Sequence, residues 1–171
     1  GSIKAITIGA TAAEGGTRAR SITVGGQTTM PYLQYEAPTP NKPIIAIEIK
    51  SRKPEDWSAL LAETWGAAMT DPAQWAQKAE EAGADLIVLT LTVEDTVEDA
   101  VRVVKSVLAA TGLPIAVWGP GQAEKDNELL VPVSEATKGE KILLGICEDK
   151  NYRTIVATAM ANGHLVQSRA P

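Results

Sequence analysis

One cysteine, Cys147, and one histidine, His164, are the whole supply of thiol and imidazole in these 171 residues. Structural zinc sites and iron–sulfur clusters need several such ligands. The chain therefore builds neither from its own residues, and it can form no internal disulfide. Redox or metal chemistry would need a bound cofactor or a partner. Cys147 could act as a nucleophile, but no histidine neighbours it in sequence to activate it. A small buried hydrophobe at a strand end is the plainer reading. Glu148-Asp149, directly after it, could form a general acid/base pair or the acidic first turn of a helix, where the dipole favours carboxylates. Glu48 lies inside an apolar run and needs a partner there, either a buried Lys or Arg or a ligand.

Two further clusters have chemical capacity. In Trp118-Gly119-Pro120-Gly121-Gln122 the glycines would let backbone amides approach a ligand, and the indole offers a stacking face; a tight turn explains the same residues. Lys50-Ser51-Arg52-Lys53 could meet phosphate or carboxylate, or simply be a solvated loop. Glu124-Lys125-Asp126 reads as a helix start carrying solvated charge. No position combines a nucleophile, a base and oxyanion donors, so the sequence does not describe a self-contained catalyst.

The elements that must position these residues follow from the apolar runs. Ile44–Ile49, Leu86–Leu91, Pro114–Trp118, Ile142–Ile146 and the weaker His164–Ser168 have the profile of buried parallel strands. Helices are expected over Ala73–Ala82 behind Asp71-Pro72, over about 96–110, over about 124–137, and over about 152–161. Pro132 should kink or divide the third of these. Serial strand–helix units make an α/β fold, either doubly wound or a TIM-type barrel. The first strand runs into Lys50–Lys53 where a dinucleotide fold would carry its glycine fingerprint, which favours the barrel. A whole barrel takes about 250 residues, so an incomplete one of about five of eight strands is expected over 36–171. Residues 1–35 should form an N-terminal β-hairpin from Ile3–Ile8 and Ser21–Val24, acting as a clasp. In either architecture ligands gather at the C-terminal strand ends. The candidate contacts there are Thr92, Trp118, Gly119, Gly121, Cys147, Glu148 and Ser168. His164 begins a strand at the opposite end and is expected to be structural.

Composition excludes other classes. A net charge of −5 argues against a nucleic-acid surface. Hydrophobic residues at 44% and charged residues at 22% are ordinary globular values. No stretch approaches the ~20 apolar residues of a membrane span. The opening Gly1-Ser2 reads as a cloning scar and not a signal peptide, so a cytoplasmic protein is expected.

Segments 9–32, 41–49, 71–91, 124–130 and 142–164, taken in this order, resemble the small (delta) subunit of the corrinoid iron–sulfur protein. That family serves the carbon monoxide dehydrogenase/acetyl-CoA synthase (Wood–Ljungdahl) pathway of anaerobes. Asp71-Pro72 with Trp75-Ala76 and Lys78, then Gly83-Ala84-Asp85-Leu86-Ile87, then Asn151-Tyr152 with Ile155 carry the likeness. The resemblance implies a TIM-barrel subunit, of which this would be the N-terminal part. It implies a larger subunit that holds the [4Fe-4S] cluster and most corrinoid contacts, with a cobamide between the two. The methyl group would come from a methyl-pterin, and acetyl-CoA synthase would receive it. Methyltransferase and acetyl-CoA synthase would be transient partners. Two other readings stay open: a pterin-dependent methyltransferase-type enzyme, for which Asp149 and Asn151 are the available strand-end groups, and a structural partner-binding fragment.

Overall fold

The computed structural model describes residues 3–28, 37 and 39–169. β1 (Ile6–Ile8) and β2 (Ile22–Val24) pair antiparallel with Ile6 opposite Val24, forming the expected hairpin with shorter strands. The expected domain boundary at 35/36 lies outside the described residues, as does Gly1-Ser2.

Five parallel strands follow: β3 (Ala46–Lys50), β4 (Leu86–Thr90), β5 (Ile115–Trp118), β6 (Leu143–Cys147) and β7 (Leu165–Ser168). They lie side by side in chain order. The helices are α1 (Ala59–Trp65), α2 (Pro72–Glu81), α3 (Val97–Ala110), α4 (Ala123–Ala136) and α5 (Tyr152–Asn162). Among the described residues the order never reverses, so no topological switch point of the doubly wound kind occurs there. Right-handed crossovers that always step the same way lay their helices on one face. The packing agrees. Trp75, Val104, Leu130 and Ile155, from four different helices, share one core with Ile49, Leu89, Val117 and Leu144 of the strands. The chain is α/β with a five-stranded parallel sheet.

Local chemistry starts the helices where the sequence suggested. Asp71 Oδ1 accepts the Ala73 N–H at 3.0 Å with Pro72 in the first turn, and Thr96 Oγ1 accepts the Asp99 N–H at 3.1 Å. Pro132 does not divide α4, which runs through it unbroken. Its missing N–H would have met the carbonyl of Glu128, an exposed position where water can serve instead. α1 was not expected at all. Ser58 caps it, and Trp65 and the preceding Trp57 flank Trp75 at centroid distances of 6.2 and 5.4 Å.

The reading of Ile44–Ile49 as buried on both faces is also corrected. β3 is an edge strand; Ile49 is fully buried, yet Ile45 is 60% exposed and Glu48 is exposed. On the sheet face opposite the helices, the open face, Ile8 and Ile22 of the hairpin and Ile44 pack against Leu86, Val88 and Ala116. The hairpin region also seals the N-terminal strand ends. Gly9 N–H donates to the Lys141 carbonyl and Ala19 N–H to that of Gly112, both at 2.9 Å. Among the described residues no helix is long and apolar enough to cross a membrane.

Candidate functional site

Strand register brings the candidate residues into rows. Lys50, Thr90, Trp118 and Gly145 are successive partners across β3, β4, β5 and β6. They form the last full row of the open face before the strands end. Beneath it runs Glu48, Val88, Ala116 and Leu143. In this upper row the indole of Trp118 lies between a threonine and a glycine. Its Nε1 is buried without a hydrogen-bond partner among the described residues, and so is Thr92 Oγ1 just beyond β4. Orphaned buried polar groups are uncommon and call for an explanation. Thr92 also lines a cavity of about 470 Å³ together with Lys50, Lys53 and Glu94.

The loops at this rim are held by buried side chains that the sequence reading passed over. Asp95, 2% exposed, accepts from its own loop through Thr92 N–H at 2.8 Å. It also accepts from the loop after β3, through the Ser51 hydroxyl and through Arg52 Nε at 2.8 Å. Arg52 reaches Asp99 as well, at 3.2 Å. Asp126, 3% exposed, repeats the arrangement one pair of strands further on. Its Oδ1 accepts Gly121 N–H and its Oδ2 accepts Asn151 Nδ2, both at 3.0 Å. Asn151 Oδ1 in turn accepts Glu148 N–H at 2.7 Å. Asp126 is therefore no solvated helix-start charge. Burial pushes its carboxyl above the usual range, against the opposing hydrogen bonds from Gly121 and Asn151. The missed signal was spacing. An Asp or Asn three to five residues after a strand-end N–H can turn back and accept it, as Asp95, Asp126 and Asn151 do from Thr92, Gly121 and Glu148.

The predicted contacts divide accordingly. Thr92, Trp118 and Gly121 sit at the rim; Gly121 has φ +84° with open space where a Cβ would stand. Gly119 has a different reason to be glycine: a Cβ there would lie 2.3 Å from Asp126 Oδ1. Cys147 is 1% exposed in the helix-side core, because a register irregularity between Leu144 and Cys147 turns it away from the open face. Burial first, and the Asp126 charge second, push its thiol up, so it is held as the unreactive thiol. Glu148 is exposed, with its carboxylate 3.5 Å from Arg169. Ser168 is exposed at the end of β7. Glu48 is neither buried nor ion-paired among the described residues; it accepts the Thr90 hydroxyl at 2.8 Å. His164 lies at the sealed end, its Nε2 2.8 Å from the Ser134 carbonyl. Among the described residues no group of three or more His, Cys, Asp or Glu could hold a metal ion.

Comparison with known proteins assigns the family. The family described as CO dehydrogenase/acetyl-CoA synthase delta subunit matches residues 5–171. The chain is 36% identical over 176 residues to the acetyl-CoA decarbonylase/synthase complex subunit delta of Archaeoglobus fulgidus, covering 98% of this chain and 39% of the relative. It is 31% identical over 179 residues to the subunit delta of Methanopyrus kandleri, covering 100% of this chain and 44% of that one. To the subunit delta 1 of Methanosarcina thermophila it is 32% identical over 174 residues, covering 97% and 39%. The chain thus spans about two fifths of the length of the curated relatives it matches. On the match over almost its whole length, this chain belongs to the CO dehydrogenase/acetyl-CoA synthase delta subunit family.

Proposed function

We propose that this chain is a cofactor-capping, partner-binding part of an acetyl-CoA decarbonylase/synthase complex, and that its strand-end rim covers one side of a cobamide shared with a larger corrinoid iron–sulfur subunit. The observation that carries the reading is a pair of buried groups without partners among the described residues, Trp118 Nε1 and Thr92 Oγ1, at the ends of adjacent strands. Family membership and relatives named as subunits of such a complex support it.

The residues fit a large planar cofactor in three respects. Trp118 offers a flat apolar face, Gly145 beside it adds no side chain, and Gly121 exposes backbone at the rim. When bound, a cobamide supplies a methyl-carrying metal centre, and the donor would be a methyl-pterin. This chain's part is to bind, to orient and to exclude water. It holds Cys147 as a buried thiol, away from the open face. Asp95, Asp126 and Asn151 are committed to the loops, which weakens the reading as a pterin-binding methyltransferase that would need such groups free.

The same reading extends to the fold. β3 and β7 are edge strands of the described sheet; Ile45, just before β3, is 60% exposed and Val166 of β7 is 37% exposed. Uncovered edges of this kind are pairing liabilities. In relatives more than twice as long, the remaining strands of a TIM-type barrel would cover them.

The test is a cobamide titration of the chain, followed by visible absorption, with and without the larger subunit. Cobamide should stay with the pair and leave the isolated chain on gel filtration. Strong corrinoid bands on the isolated chain would contradict the division of labour.

A further inference from the structure

We propose that Asp126 is a positioning residue that joins the loops after β5 and β6 into one unit, and that this unit holds Trp118 in place for the ligand; the ligand half rests on the function proposed above. A continuous chain of contacts runs from one loop to the other. Gly121 N–H donates to Asp126, Asn151 Nδ2 donates to the other oxygen of the same carboxylate, and Glu148 N–H donates to Asn151 Oδ1. Asn151 Nδ2 also donates to the Ile146 carbonyl at 3.2 Å. Backbone bonding adds a strut, because Gly119 N–H donates to the Gly145 carbonyl at 2.9 Å.

The residue type at 126 follows from its surroundings. Two donors from two different loops converge on it, one on each oxygen, and only a carboxylate accepts on both. Asparagine would turn an NH₂ group toward one of those donors. Among the described residues no Lys or Arg pairs with Asp126, so this buried carboxylate lacks the cation that Arg52 gives Asp95. An unpaired buried carboxylate is costly, and a loop needing only a turn could be closed by a serine or an asparagine. Gly119 completes the design. The carboxylate occupies the space that any side chain at 119 would take, so the backbone next to Trp118 rests directly on it. Trp118 therefore inherits its position from both loops.

Hydrogen exchange on the chain, comparing wild type with D126N, tests the joining. Amides at 119–122 and at 147–149 should exchange about tenfold faster or more, since the asparagine NH₂ faces a donor whichever way it turns and the bridge between the two loops is lost. The hairpin and the loop after β4 should not change. The exchanged pair D126N/N151D restores a donor opposite an acceptor and should recover part of the protection in both loops. Loosening confined to 119–122, or spread evenly over the chain, would overturn the proposal. If D126N does not fold, G119A serves in its place. It displaces the carboxylate without altering an ionisable group and should loosen the same two loops. In the complex with the larger subunit, cobamide release should quicken with D126N and slow again in the exchanged pair. Both loops loosened with release unchanged would sink the positioning role. A wild-type pair that retains no cobamide would sink the proposed function instead, leaving the exchange data to decide the joining alone.

Discussion

The two ends of the parallel sheet solve the same problem in opposite ways. At the N-terminal end the guanidinium of Arg18, with its side chain 2% exposed, uses every N–H it has. Nε donates to Glu140 at 3.1 Å, Nη1 to the Thr111 and Leu113 carbonyls at 2.7 and 3.1 Å, and Nη2 to Thr17 Oγ1 and the Leu108 carbonyl at 2.6 Å each. One side chain from the hairpin thus ties together the C-terminus of α3, the start of β5 and the approach to β6. At the C-terminal end the loops are pinned from within by Asp95 and Asp126, while Trp118 Nε1 and Thr92 Oγ1 remain without partners. Among the described residues the first end is braced by a fully bonded Arg18, although His164 Nδ1 there has no partner, and the second end leaves Trp118 Nε1 and Thr92 Oγ1 open at the ends of adjacent strands. Stability should therefore be concentrated at one end and ligand chemistry at the other, as in barrels with a stabilising bottom and a functional top.

The largest expected effect breaks the sealed end. R18A leaves three carbonyls and Glu140 without their buried donors. Removing one member of a buried, fully bonded pair costs about 3–5 kcal/mol. Equilibrium denaturation should show that loss, and R18K should recover only a fraction, because an ammonium cannot span the fan of acceptors. If R18A unfolds at nearly the wild-type denaturant concentration, the hairpin is an appendage and the contrast between the ends fails.

A smaller loss is expected at the rim. G119A pushes a methyl group against the Asp126 carboxylate, and disturbing that buried acceptor should cost about 1–3 kcal/mol. G121A should also destabilise, for a different reason: Gly121 has space for a methyl but sits at φ +84°, where the cost is backbone strain of roughly 1 kcal/mol. Denaturation of both variants, read beside exchange rates in the two loops, separates them. Only G119A should loosen 147–149.

Acid sharpens the comparison because the two ends titrate with opposite sign. Burial lowers the pKa of His164 from 6.5, so the folded state keeps its ring neutral. Below about 6.5 the unfolded chain takes up a proton that the folded chain refuses, and stability falls as pH falls toward the lowered folded value. Asp126 is raised above 3.8 by burial, so the folded state holds a proton that the unfolded state has already lost. Stability then rises as pH falls through the raised folded value toward 3.8. One proton is worth at most roughly 1.4 kcal/mol per pH unit. H164Q should remove the acid-labile component and D126N the acid-stabilised one. Parallel pH profiles for the two variants would show that neither group titrates as its burial requires.

Much of this was legible in the residues themselves. Strand runs, the helix cap at Asp71, the helix start near Thr96 and the sequential α/β order follow from periodicity and capping, which are local. What escaped is non-local. Whether Asp126 is solvated or buried depends on Asn151, 25 residues away, and whether Glu48 is covered depends on the neighbours of β3. Cys147 was a contact candidate only by its place at a strand end; an irregularity between Leu144 and Cys147 turns it into the helix-side core, the buried setting that was its plainer reading. α1 was visible in principle, since Ser58 before Ala59-Leu60-Leu61-Ala62 is a capped helical start. Its exposed Leu60 and Leu61 gave no amphipathic stripe to notice.

The smallest expected change in stability should accompany the largest change at the ligand. W118F removes an indole N–H that has no partner, and losing an unsatisfied buried donor offsets much of the apolar area lost with the larger ring. The two terms nearly cancel, so thermal stability should stay within about 1 kcal/mol of wild type. If the rim caps a cobamide as proposed, release of the cofactor from the complex should nonetheless quicken, because the group removed is one that folding leaves without a partner among the described residues. R18A gives the reverse pattern, a large loss of stability with release altered only as far as unfolding requires. A W118F chain destabilised as severely as R18A would make Trp118 an ordinary core residue behind a tight turn, and the unsatisfied groups at the rim would no longer mark a ligand.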